Sequence, residues 1–409
     1  MTTAIKWNTG MSVRELLDRH RGIGPGFHFL RYALASAIFV FHSYYVVKGQ
    51  VGAVGYNDLL ATTRTAASPM LANPQSTDLT SPIELLRPWL FALVAAFFAV
   101  SGFLVTGSAQ RLRNVKTFLG FRVLRIIPAL AVETLLSAFI LGSLITTLEP
   151  GAYFSDGQFF RYFGNIVGAI SMKLPGVFVD NPVPHIVNVN LWTLPGEFYC
   201  YLVMAGAMIA GLAYTRRGWL IVAIAGTIAF MVAIGLSLVT TRANTTHFTT
   251  PMIVYYFFVG CLFFQFADRI QLRFSYFLLS AAAYYAITLF RFPDLLAPVF
   301  LTYCAVFVGC QAYPLFDRLC PGDYSYGIYL YGFPMQQTVV FLFPEQRSTL
   351  FVLAAAGAAT IVFAVLSWYT IEKPALKLKK LFVGKRIQVQ TDASVIGVTT
   401  DPAPAYGRK

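Results

Sequence analysis

The chain has 409 residues, 57% of them hydrophobic and 16% aromatic, while only 12% carry charge. Soluble domains hold about twice that share of charge, which excludes a soluble enzyme. A net charge of +13 raises the question of a nucleic-acid partner, but its distribution along the chain answers it through membrane topology, and no nucleic acid is expected.

Hydropathy predicts ten spans, at 27–47, 85–107, 124–147, 191–213, 219–240, 251–267, 274–291, 295–314, 324–343 and 349–371. Residues 1–26 form a charged, Gly-rich cytoplasmic segment with no cleavable leader. With the N-terminus inside, most of the 31 Lys and Arg residues fall in cytoplasmic segments, and the outer segments are near neutral. The positive-inside rule then places both termini in the cytoplasm, and an even number of spans satisfies it. The expected fold is an all-α polytopic integral membrane protein of about ten transmembrane helices. Its membrane domain covers 27–378, with long outer loops at 48–84 and 148–190, the second holding a short interfacial or re-entrant helix around 159–172. Residues 379–409 read as a disordered cytoplasmic tail. The five cysteines lie in or beside apolar runs without metal-like spacing, so buried thiols are expected and no metal is.

The first span, Arg31-Tyr-Ala-Leu-Ala-Ser-Ala-Ile-Phe-Val-Phe-His42, has a cation at its head and an imidazole in mid-span. Eleven helical steps return to within about 20° of the starting face, so Arg31 and His42 share a stripe roughly 16 Å long. A mid-membrane histidine is costly and faces protein interior or a cavity. The fourth span carries Leu191-Trp-Thr-Leu-Pro-Gly-Glu197. This helix runs from outside to inside, which puts Glu197 about 9 Å below its outer end, at a depth similar to that of His42. A carboxylate beside an imidazole makes a general base; the same pair also serves simply to satisfy two buried polar groups. Glu133 reads as a structural partner for a neighbouring arginine.

Arg122 and Arg125 lie three apart at the start of the third span and share a face. Guanidinium forks suit phosphate oxygens, and equally they anchor a helix among lipid headgroups. Ser101-Gly102 permits close backbone approach, for helix packing or for a site. The tyrosines of Tyr324-Ser-Tyr-Gly-Ile-Tyr-Leu-Tyr331 form an interfacial belt or line a cavity. Pro374 is placed to stop the tenth helix. His20 and His28 read as solvated, as do His185 and His247, with His185 near an outer mouth.

Taken in order, Arg31-(ten residues)-His42, Phe98-Ala-Val-Ser-Gly-Phe-Leu104, Arg122-Val-Leu-Arg125-Ile-Ile-Pro128, Leu191-Trp-Thr-Leu-Pro-Gly-Glu197-Phe-Tyr199, Tyr324-Ser-Tyr-Gly-Ile-Tyr-Leu330 and Ile371-Glu-Lys-Pro374 resemble the membrane-bound acyltransferase 3 family. That family includes O-acetyltransferases of bacterial surface polysaccharides, and the resemblance covers roughly 27–378. It implies ten spans in the inner membrane and transfer of an acyl group, usually acetyl from acetyl-CoA, to an acceptor across the membrane. By resemblance, His42 is the essential histidine, Arg31 its basic partner and Glu197 the acid of the Trp-x-Leu-x-x-Glu stretch. Arg122 and Arg125 match the donor-associated pair, and Ser101 and Tyr326 join them as donor-binding candidates. Acyl-CoA is then the donor substrate, and a carbohydrate or lipid-linked glycan the acceptor. The chain departs from the family where Tyr32 and Ala33 follow Arg31, and no fused esterase-like domain follows the tenth span. Without the resemblance, a proton-coupled exporter using His42 and Glu197 as relay groups remains open; inverted repeats and broken helices would favour it.

Overall fold

The computed structural model describes residues 10–20, 22–49, 82–235, 250–288 and 295–382. Within them the protein is helical, and an isolated antiparallel bridge joins Ser12 to Gln271. The outer loop 48–84 and the tail beyond Phe382 lie almost wholly outside the described residues, as does His247.

A short amphipathic helix, α1 (Val13–Arg19), opens the chain. Ser12 caps it: its hydroxyl accepts from Glu15 N, and the Glu15 carboxylate accepts from Ser12 N. Its apolar face is buried, and Val13 N donates to Ile270 O. The first expected span follows as α2 (Phe27–Lys48), closed by Gly49 in the left-handed region. Its 22 residues reach about 33 Å, enough for a hydrocarbon core of roughly 30 Å.

Next come α3 (Pro82–Leu112) and α4 (Val115–Leu135), the latter running through a π turn at Leu136–Leu141 to Ile145. Then follow α5 (Leu194–Ile209), α6 (Arg216–Gly235), α7 (Thr250–Gln265), α8 (Phe274–Thr288), α9 (Ala297–Gly309), α10 (Ser325–Leu342) and α11 (Thr349–Ser367). Among the described residues, four runs are long and apolar enough to cross a membrane: Phe27–Lys48, Pro88–Leu112, Val115–Ile145 and Thr349–Phe382. Shorter apolar helices, α7, α8 and α9 among them, pack beside these. All five cysteines are free, four of them buried.

Helix α3 lies in close backbone contact with α7. A Cβ at Gly102 would stand 2.0 Å from Phe257 O, and one at Gly260 would stand 2.0 Å from Ala99 O. Both obstacles are backbone, so the helices touch only because both positions are glycine. Gly102→Ala is expected to force α3 from α7 and destabilise the protein by about 3 kcal/mol. Thermal unfolding in detergent checks this, and an unchanged Tm contradicts the packing.

Two expectations give way here. The fourth span is not a full helix from residue 191. Short helices at Pro150–Ser155 and Gly157–Tyr162, with a 3-10 turn at Phe163–Val167, stand somewhat ahead of the helix expected at 159–172. They build a small separate core around Tyr153, Phe159, Tyr162, Leu174 and Phe178. From Gly168 the chain runs back among the helices without regular structure, makes a 3-10 turn at Val189–Thr193, and starts α5 only at Leu194. Such backbone is tolerated at depth only where protein satisfies it, and here it does. Asn188 Nδ2 donates to Leu330 O at 2.9 Å, and Asn190 Nδ2 to Tyr329 O at 2.6 Å. Gln337 Nε2 donates to Val183 O and Ile186 O, while its own carbonyl groups accept from Asn181.

The second correction is Pro374. It does not stop the last helix, because a π turn at Trp368–Glu372 resets the backbone and Pro374 sits in the first turn of a further helical piece, Lys373–Lys377.

Candidate active site

Arg31 lies in the second turn of α2. Beside it, Tyr32 accepts from Tyr324 N at 2.7 Å and donates to Gly322 O at 2.6 Å, fixing the loop ahead of α10. That loop presents Asp323, whose Oδ2 accepts from Arg31 Nη1 and from Arg125 Nη2, each at 2.8 Å. Arg125 Nη1 reaches Glu372 Oε2 at 3.3 Å. Three elements (α2, α4 and the π turn after α11) are thus joined through one carboxylate and one guanidinium. Burial alone would raise the Asp323 carboxyl, but Arg125 and Arg31 outweigh it, with Ser325 donating, and hold it well below the usual carboxylate range.

Arg125 and Arg122 share a face as expected, but they are used differently. The Arg125 guanidinium is committed to two carboxylates and stands 5.5 Å from the centre of the Tyr326 ring. Tyr326 in turn donates to Ile126 O at 3.1 Å. Arg122 has no ion pair among the described residues. Its Nη2 donates to Ser108 Oγ at 2.9 Å, and the guanidinium lies 5.5 Å and 5.7 Å from the Phe118 and Tyr201 ring centres. Its Nε is buried and unpartnered. The serine that meets this arginine is Ser108, two turns beyond Ser101. Ser101 itself makes no hydrogen bond among the described residues, and its neighbour Gly102 serves packing.

Glu197 is in the first turn of α5 and accepts a hydrogen bond from Tyr201, one turn on. The charges that act on it are those of Arg125, Arg122 and Arg31. No hydrogen bond or ion pair links it to His42. The reason is the irregular stretch 168–193, which carries the chain inward before α5 begins and delivers Glu197 to the arginine end.

His42 is half-buried on α2, with its ring edge-on to Phe333 at 5.5 Å and near Phe41 at 5.8 Å. Among the described residues its nitrogens make no hydrogen bond. Gln336, one turn beyond Phe333, is fully buried and donates to Phe39 O at 2.7 Å and to Ser43 Oγ at 2.8 Å. These bonds pin α10 to α2 at the level of the imidazole. The ring therefore keeps both nitrogens available inside a fixed frame, as a base or nucleophile requires.

Glu133 is 1% exposed and has no arginine partner among the described residues. Oε1 accepts from Asn188 Nδ2 at 2.8 Å and from Ser137 Oγ at 3.1 Å, which ties α4 to the irregular stretch. His20 bonds Leu16 O, and His28 bonds Gly322 O and comes within 3.8 Å of Asp317, so neither is simply solvated. His185 is exposed, with a positive φ of 63°. Asp323, Ser108 and Tyr201 are the site residues that sequence reasoning passed over. Tyr201 was open to discovery from its spacing to Glu197, and Asp323 from its place directly before the Tyr324–Tyr331 run.

The structure thus combines apolar helices long enough to cross a membrane, a partly buried arginine and carboxylate cluster and, further along α2, a histidine whose nitrogens make no hydrogen bond among the described residues. The family model described as an acyltransferase domain matches residues 25–369, and the chain belongs to that family, acyltransferase 3. An O-acetyl transferase of Shigella phage Sf6 is 26% identical over 311 residues, covering 70% of this chain and 87% of that protein. Nodulation protein 10 of Rhizobium leguminosarum bv. viciae is 29% identical over 333 residues, covering 74% and 88%. No solved structure matches. The protein is thus an acyltransferase of the membrane.

Proposed function

We propose that the protein is a transmembrane O-acyltransferase of a bacterial inner membrane, with ten spans and both termini in the cytoplasm. It moves an acyl group, acetyl in the first instance, from cytoplasmic acyl-CoA to a hydroxyl of a cell-envelope or lipid-linked carbohydrate. One observation carries the reading. Arg122 is a half-buried arginine with no ion pair among the described residues and a buried, unpartnered Nε, at the end of the bundle where Arg31 lies near the start of the helix that bears His42. Phosphate oxygens supply what that group lacks.

The roughly 16 Å from Arg31 to His42 along the helix is on the scale of a pantetheine arm. In this reading Arg122 holds the phosphates, and Arg125 keeps the mouth in shape through Asp323 and Glu372. Tyr326 stacks beneath Arg125, and Glu197 with Tyr201 lines the way inward. His42 takes the proton of the acceptor hydroxyl as its oxygen attacks the thioester carbonyl. The C–S bond breaks, and the thiolate leaves with the proton. A variant of the scheme passes the acyl group through His42 itself before the hydroxyl receives it. The broken helix at α5 is a feature that transporters share, but membership of an acyltransferase family displaces the exporter reading.

Steady-state kinetics test the donor half. Arg122→Ala is expected to raise the KM for acetyl-CoA at least about tenfold, the worth of one charge-assisted phosphate contact, with kcat changed far less. An unchanged KM returns Arg122 to anchoring a helix among headgroups.

A further inference from the structure

The chain does not leave the bundle where the last long helix ends. After the π turn it makes two more short helical pieces, Lys373–Lys377 and Leu378–Phe382, and returns against α4. The Thr117 hydroxyl donates to Phe382 O at 3.0 Å. The Phe382 ring covers Gly120, where a Cβ would stand 2.7 Å from two ring carbons. Residues 379–382, expected to begin a disordered tail, are therefore packed.

This return sets the Lys379 ammonium 5.1 Å from the centre of the Phe121 ring, one residue before Arg122. Lys379 lies within electrostatic reach of Arg122 and Arg125, and less strongly of Asp323, whose carboxylate is already taken by Arg31 and Arg125. Arg125 has its two carboxylates, whereas neither Arg122 nor Lys379 has an ion pair among the described residues. Like charges gathered at a partly buried site repel one another, and an anion between them reverses the sign of the interaction. The donors match such an anion: Arg122 offers an unpartnered Nε, and an ammonium offers up to three N–H groups.

We infer that Lys379 is a phosphate-binding residue of the donor site, acting beside Arg122, and that the segment after the last long helix is part of that site. The inference rests on the reading of the donor as acyl-CoA. A lipid headgroup carries the same phosphate chemistry, so the experiment has an arm for each source.

Calorimetric titration of acetyl-CoA into the full-length protein in zwitterionic nanodiscs reads the first arm. Lys379→Gln is expected to weaken binding about tenfold, and Lys379→Arg to restore most of it. Without ligand, Lys379→Arg should unfold at the wild-type temperature and Lys379→Gln no lower, since it removes a repelling charge. If the wild type binds, Arg122→Ala weakens binding and Lys379→Gln does not, the assignment of Lys379 is overturned and the donor reading stands. If the wild type binds no acetyl-CoA, the donor reading itself fails, and the role of Lys379 fails with it. The second arm compares unfolding in zwitterionic and anionic nanodiscs. Should Lys379→Gln keep full acetyl-CoA affinity while losing stabilisation by anionic lipid, Lys379 is a headgroup anchor and the inference is wrong.

Discussion

Replacing His42 with alanine is expected to lower acyl transfer on the order of 10³-fold, within the range that a positioned general base contributes. The loss should appear in kcat, with the KM for acetyl-CoA little altered, because the arginine end of the site lies several helical turns away. Membrane insertion and yield should survive. The imidazole makes no hydrogen bond among the described residues, and the half-buried ring meets Phe333 edge-on and Phe41 at a tilt. The frame around it is held by Gln336 bonding Phe39 and Ser43, which the substitution leaves alone. Transfer retained in a well-folded His42→Ala protein would remove His42 from the mechanism, whether as base or as acyl carrier.

The second large effect is expected at Asp323. Its Oδ2 accepts from both Arg31 and Arg125 at 2.8 Å, so Asp323→Asn leaves two guanidiniums facing each other with Glu372 alone to balance them. Removing one partner of this partly buried ionic network is expected to cost about 2 kcal/mol, seen as a lowered Tm, while Asp323→Glu keeps the charge and recovers part of the loss. The pH dependence has a definite sign. The native carboxyl lies well below its usual range, so its stabilisation is complete above the unfolded value of about 4. That stabilisation is lost progressively as pH falls from the unfolded value through the depressed native one. In the wild type this contribution should therefore hold through mildly acidic pH, and in Asp323→Asn it is absent at every pH. A variant as stable as the wild type would show that the three elements are held together by apolar packing alone.

Much of the membrane domain was legible from hydropathy. Long apolar runs report their own burial, and α2, α3, α4 and α11 stand where the pattern put them. The shared face of Arg122 and Arg125 followed from a spacing of three residues. The irregular stretch ahead of α5 was harder to see. Residues 191–213 are apolar enough to pass for a complete span, and the period of a helix says nothing about where its first turn lies. The asparagines Asn181, Asn188 and Asn190 were the available sign, since polar side chains this dense before an apolar run satisfy backbone. Missing them misplaced Glu197, and with it the expected pair with His42. Asp323 was passed over because an acid in a polar loop carries no periodic signal; only the fold brings two arginines to it. Lys379 was read as tail because a proline five residues earlier suggested a stop, whereas a π turn absorbs that proline.

The central claim is that the acyl group enters at the arginine end and leaves beyond His42. Inside-out membrane vesicles containing the protein, given acetyl-CoA labelled in the acetyl group, test this most directly. Label is expected on a carbohydrate facing the vesicle lumen, only when His42 is present, and acetyl-CoA enclosed in the lumen is expected to give none. Label transferred from the lumenal side, or carried across without being attached to an acceptor, would contradict it.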